Sequence, residues 1–239
     1  MNDSRQTGRA YSDTPQPTAP DLASIFGGLV RHHVARQGQA EPERQTGIDW
    51  IYAANGIWKR GISASVQLQG RASRLDVEIP GLARLMPYVH WPVWPRRLPG
   101  ELLAPLLTDA QRAGSAGAVA TPIEKQYFFV ERDGVRVVAP RAQEGTAASL
   151  RYTMPVAGTP LLDLHSHHAM RAYFSATDDR DDQGLSVSAV IGNIFERPEI
   201  VVRLNIYGLH CAAPALMVFD SLGPFVDRYY GGDHASADD

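Results

Sequence analysis

The sequence holds a single cysteine, Cys211, in 239 residues. An internal disulfide is therefore impossible, as is a zinc cluster built on paired thiolates, and a lone thiol fits a reducing compartment. Long apolar runs are missing too: no uninterrupted stretch approaches the ~18 apolar residues that would read as a membrane-spanning helix. The chain does not open with a basic segment leading into an apolar one, the pattern of a secretory leader. Charge is plentiful but balanced, with 23 Lys and Arg against 26 Asp and Glu. The net −3 gives no long-range pull toward nucleic acid or anionic membrane, and neither is expected as a partner. No internal repeat occurs, which removes solenoid and propeller architectures. What is left has the 44% apolar and 21% charged content of a soluble globular protein, expected in the cytoplasm.

The first part of the chain divides by composition. Residues 1–20 are polar and proline-bearing, with too little apolar surface to offset ordering, and read as a disordered arm. From Asp21, a plausible N-cap, Leu22, Ile25, Phe26, Leu29, Val30 and Val34 recur at helical spacing. His32 and His33 then fall at the surface near that helix's end. After a polar linker, Trp50-Ile51-Tyr52 and Ile57-Trp58 flank Asn55-Gly56, a two-residue hairpin signal. Alternation over 62–68 and 75–79 predicts two more strands, so 21–95 reads as a helix plus a small antiparallel β region. Lys59, Arg60, Arg71 and Arg74 read as its solvated face. Prolines are too dense for regular structure from Pro87 to Pro95. That aromatic stretch, Tyr88 to Trp94, is either a peptide-binding ledge or, the preferred reading, a connector packed on the core.

A second unit is expected over 96–230, with a polar, disordered tail at 231–239. Leu98 to Ala113 has helical periodicity despite Pro105, and 114–120 is a loop of small residues. Ile123 to Arg132 and Val135 to Pro140 flank Asp133-Gly134 as a hairpin. A strand at Arg151 to Met154 precedes another at Leu161 to Leu164. Two further strands, at 185–194 and 200–207, follow a helix starting at Ser175, the first of them also open to a helical reading.

The strand at Leu161 runs into His165-Ser166-His167. Side chains alternate faces along a strand, so the two imidazoles point the same way and Ser166 points the other. Two imidazoles on one face are half of a zinc site. Ser175, with Asp178 three positions on, has the form of a helix N-cap, and a carboxylate in that first turn can face back to the histidines. His165, His167 and Asp178 make three protein ligands, which leaves the open position of a catalytic zinc rather than a closed structural one.

The whole string, His165-Ser166-His167, seven residues, Ser175, two residues, Asp178, resembles the signature of the JAMM (JAB1/MPN/Mov34) metallopeptidases. The resemblance implies an α/β fold: a cytidine-deaminase-like core with a mixed β-sheet flanked by helices, preceded here by the small β-rich region. It implies zinc as cofactor and a glutamate general base on an upstream strand. Glu124 matches that glutamate, ahead of Glu131 at the hairpin's end. Ser175 matches the serine that stabilises the tetrahedral oxyanion, besides its capping role. The family often has proline after the second histidine, where this chain has His168; it is expected on the face opposite His167, off the metal. Asp163 either partners a ligating histidine or simply faces out of its strand.

Within the family the chain is most similar to the branch found in the bacterial PRTRC cassette. The resemblance then implies a ubiquitin-like protein or peptide as substrate, an E1/ThiF-like protein as a further partner, and cleavage of an amide bond. The alternative is a non-catalytic scaffold of the same fold, against which the complete set Glu124, His165, His167, Ser175 and Asp178 argues. Rival zinc chemistries lack residues. A PHP phosphoesterase barrel needs several more downstream ligands than His210 and His234. Ala169 and Met170 stand where a metallo-β-lactamase has Asp and His, and a zinc deaminase needs His-x-Glu with a cysteine pair.

Overall fold

The computed structural model describes residues 30–41, 43–113, 123–140, 143–145, 150–152 and 158–229. The arm at 1–20, the expected helix up to residue 29, the loop at 114–120 and the tail from 231 lie outside the described residues.

The first sheet has the order β1 (Val30–Val34), β2 (Gly47–Ala53), β3 (Gly56–Ile62), β4 (Gln67–Arg74) and β5 (Tyr88–His90), with β1 parallel to β2 and the rest antiparallel. β1 corrects the helix expected to run through Val34. Val30 and Val34, four apart, fit either period, but the residues between them settle it. Arg31 and His33 share a face: Arg31 Nε donates to Asp49 Oδ1 at 2.7 Å, and His33 Nε2 lies 3.3 Å from the same oxygen. His32 points the other way and stacks on Tyr52.

Arg60 and Lys59 are also corrected, being buried rather than solvated. Arg60 is fully buried and donates from Nε to Asp49 Oδ2 at 2.8 Å, so the neighbouring strand β2 supplies its counter-ion inside the sheet. Lys59 Nζ donates at 2.7 Å to the carbonyl oxygen of Tyr207, in a hairpin turn of the second sheet. The β2–β3 hairpin forms as expected, but its turn residues are Ala54 and Asn55. Asn55 is a buried bracket whose Oδ1 accepts from the Leu85 amide and the Trp58 indole while Nδ2 donates to the Leu85 carbonyl. Residues 75–79 form no strand; the fourth partner is β5, inside the proline-rich stretch. Just beyond it Trp91 is buried and donates to the Leu161 carbonyl at 2.9 Å, so this part of the stretch packs on the core.

A 3₁₀ turn, Gly100–Leu102, leads into α1 (Leu103–Arg112). Pro105 is tolerated because it sits in the first helical turn, where amides have no intrahelical acceptor. Leu103, Leu106, Leu107 and Ala110 form its buried stripe. There follow β6 (Gln126–Glu131), β7 (Val135–Val138), β8 (Gln143–Gly145), β9 (Leu150–Tyr152), β10 (Thr159–Ser166), α2 (Ala176–Asp181), β11 (Leu185–Gly192), β12 (Glu199–Ile206), β13 (Leu209–Ala213), α3 (Ala215–Val218) and β14 (Val226–Asp227). The second sheet has the order β13-β12-β11-β10-β6-β7, with β14 beside β12 and β8–β9 as a separate pair. β10 and β11 are parallel and their outer neighbours antiparallel, so the sheet is mixed, as expected of the α/β class.

Register divides this sheet into two chemically different faces. Leu162, Leu164, Tyr127, Phe129, Ala189, Ile191, Val202, Leu204 and Ile206 share one face and are all buried. They form one continuous apolar core with α1 and with Val66, Leu68 and Trp91 of the first-sheet region. β4 comes so close that a Cβ on Gly70 would lie 2.4 Å from Cys211 Sγ. Asp163, His165, Gln126, Ser188 and Arg203 share the other face. Four strands, β6, β10, β11 and β12, thus send apolar residues into the core and polar ones to the site.

Candidate metal centre

The parallel β10–β11 pair brings His165 opposite Val190, and β10 ends one residue later. His167 stands just past the strand end, its amide bonded to the Ile191 carbonyl at 2.8 Å, so the β-like course persists through the second histidine. The imidazoles converge, with His165 Nε2 and His167 Nε2 3.1 Å apart. Asp178 Oδ1 lies 3.6 Å from His165 Nε2, and one donor atom from each of the three residues falls within 4.8 Å of the others.

This donor set fits zinc. Tetrahedral bonds of ~2.0–2.2 Å place ligand atoms roughly 3.3 Å from one another, between the two separations found here. Burial pushes His165 down to about 4 and lowers His167 as well, so both rings are neutral at pH 7 and offer lone pairs. His167 Nδ1 lies 3.3 Å from the Arg171 carbonyl oxygen, a partner that places the ring proton on Nδ1 and leaves Nε2 free to ligate.

Asp178 divides its two oxygens between tasks. Oδ2 accepts from the Ser175 amide at 2.6 Å and the Ser175 hydroxyl at 2.7 Å, and the Asp178 amide donates back to Ser175 Oγ at 3.3 Å. This is a reciprocal capping box, and it leaves Oδ1 for the histidines. Burial works against ionisation of Asp178, but His165 and the Ser175 donors outweigh it and hold the carboxyl below the usual range. The Ser175 hydroxyl proton is thus engaged by Asp178, and donation to an oxyanion requires that bond to turn away.

Glu124 lies two residues before β6, on the approach to the site. Antiparallel pairing sets Gln126 against His165, and Ser166 N donates to the Lys125 carbonyl at 2.9 Å. Continuing that register, Glu124 falls beside His167. Ser166, between the histidines, points into the other face and accepts from the Lys125 amide at 3.0 Å, fixing the backbone that carries Glu124. Burial, with the Asp178 carboxylate second, pushes Glu124 up to about 7. Glu131 is paired with Thr159 at the far end of the same strands, roughly 16 Å along them at ~3.3 Å per residue.

His168 leaves the centre, as expected. Its ring packs edge-on against Phe195, and its φ of +53° is one that proline's fixed φ near −65° excludes. Asp163 bonds Ser188 Oγ at 3.0 Å and makes no hydrogen bond to His165. Two further residues shape the centre. Arg203, a lone cation in the apolar run of β12, reaches under α2, and Gly192 allows the segment after His168 to cross the end of β11. A cation among the branched apolar residues of β12 was the available signal for the first.

Residues 107–206, which span all of these positions, match the family model described as prokaryotic homologs of the JAB domain. No curated protein matches the chain. This segment, the candidate centre included, relates the chain to the JAB/JAMM family.

Proposed function

We propose that the chain is a zinc-dependent peptidase of the JAMM type, hydrolysing an amide bond at the C-terminus of a ubiquitin-like protein or of its conjugate. The observation that carries this reading is the convergence of His165, His167 and Asp178 donor atoms within 4.8 Å, with Glu124 close enough to feel the Asp178 charge. His165, His167 and Asp178 would hold the zinc. Zinc, when bound, polarises an amide carbonyl and acidifies the attacking water. Glu124 is the group that moves protons. Beside His167 and sheltered by burial, its carboxylate can accept a proton from water and return it to the leaving amine nitrogen. Ser175 Oγ, once turned from Asp178, donates to the carbonyl oxygen as it becomes an oxyanion. The resemblance to the PRTRC branch supports a ubiquitin-like substrate and an E1/ThiF-like companion in the cytoplasm.

The test is a ubiquitin-like protein carrying an extension past its terminal glycines, followed by mass. Wild type should release the extension. Glu124→Gln should keep its zinc and lose about 10²- to 10⁴-fold in rate, the usual contribution of a positioned proton-transfer group. Zinc-loaded wild type that binds such proteins and cleaves none would instead support the non-catalytic scaffold.

A further inference from the structure

Helix α2 carries Asp178, yet nothing apolar holds it: none of its residues is buried. Its sequence, Ala-Thr-Asp-Asp-Arg-Asp, is short and rich in poor helix formers, so it does not stand by itself. Asp178 and Asp179 suit the positive N-terminal end, but Asp182 occupies the C-cap, where the helix dipole disfavours an anion.

One side chain answers both problems. Arg203, 5% exposed on β12, pairs through one terminal nitrogen with Asp179 and through the other with Asp182 Oδ2 at 2.8 Å. Its guanidinium also lies 3.9 Å over the ring of Phe174, the residue before the Ser175 cap. The contacts thus fall on both sides of Asp178 in sequence. Ser188 Oγ ties Asp182 down a second time, at 2.9 Å. We propose that Arg203 is the positioning residue of the metal centre, clamping α2 to the sheet at both ends so that Asp178 Oδ1 is held toward His165 and His167. This rests on the metal reading above. A planar, two-pronged cation suits the task because it engages two carboxylates and a ring at once, which an ammonium group does not.

The test reads zinc affinity by competition with a chromophoric chelator, using full-length wild type, Arg203→Met, Arg203→Lys and Asp179→Asn. Thermal midpoints of the zinc-free proteins are measured alongside. Arg203→Met is expected to bind zinc about 10- to 100-fold more weakly, as loss of a ligand's supporting partner does. Arg203→Lys should recover part of that loss. Asp179→Asn, altering a half-exposed side chain away from the core, should lose less, with the zinc-free midpoint unchanged. Co(II) absorption, which reports ligand geometry, should change shape in Arg203→Met and be partly restored in Arg203→Lys. Wild-type affinity in Arg203→Lys and Asp179→Asn alike would overturn the clamp, even if Arg203→Met failed to fold. Wild type that binds no zinc at all would instead overturn the metal reading itself.

Discussion

Gly192, the last residue of β11, lies directly against the backbone at Ala172: a Cβ there would stand 2.3 Å from the Ala172 amide nitrogen. The same atom would be 2.4 Å from the Arg171 carbonyl carbon and 2.5 Å from the Met170 carbonyl oxygen. All three are main-chain atoms, so no side chain can swing aside, and the segment joining His167 to Ser175 has to shift. Gly192→Ala should therefore lower stability by about 1–3 kcal/mol, as overpacking does, and weaken zinc binding with it. Urea unfolding and chelator competition check this; two unchanged values would show that the segment has slack.

The ligand assignment predicts all-or-none behaviour in metal content. Wild type should hold about one zinc per chain after dialysis, and His165→Ala and Asp178→Ala close to none, since an open site has only three protein ligands. Elemental analysis decides. Equal zinc in Asp178→Ala would remove that carboxylate from the ligand set.

Glu124 should also show itself in the metal-free protein. Its folded value of about 7 lies above the usual 4.5, so the folded state binds the extra proton between those values. Stability must then fall as pH rises through that window. Glu124→Gln removes the loss, and zinc-free variant should exceed zinc-free wild type by up to about 3 kcal/mol at pH 8 but only about 1 kcal/mol at pH 5. Denaturant titrations at the two pH values test it. A gap of equal size at both would mean that Glu124 is not held protonated by burial.

Asp49 anchors the first sheet. Burial opposes its charge, but Arg60 and Arg31 outweigh it and hold its carboxyl below the usual range. Asp49→Ala leaves Arg60 buried without that partner and should cost about 3–5 kcal/mol, measured by urea unfolding. A loss under about 1 kcal/mol would show that Arg60 finds its charge balance elsewhere.

What could be read from the sequence was what local chemistry dictates. The strand into His165-Ser166-His167, the Ser175–Asp178 cap and the apolar β11 and β12 each carry their own short-range signal, and each forms. Failures came where a distant partner decides. Val30 to Val34 fits a helix until Asp49, a residue on another strand, claims Arg31 and His33. Lys59 and Arg60 look solvated until the Tyr207 carbonyl and Asp49 are found beneath them. Arg203 stands out as a charge, but its role does not, because its partners lie in and just after a helix more than twenty residues upstream.

The first sheet also sets how little of the chain can be removed. Leu185 and Ile206 lie within the segment that matches the JAB model, yet they rest on Gly61 and Gly70 of β3 and β4. A version trimmed to residues 107–206 would open that seam to water and would lose the half of α1 that holds Leu103 and Leu106. Such a fragment would carry every candidate ligand and still present a broad greasy surface, the kind that drives clumping rather than catalysis. In this protein the segment that bears the chemistry and the segment that keeps it in solution are different stretches of the chain.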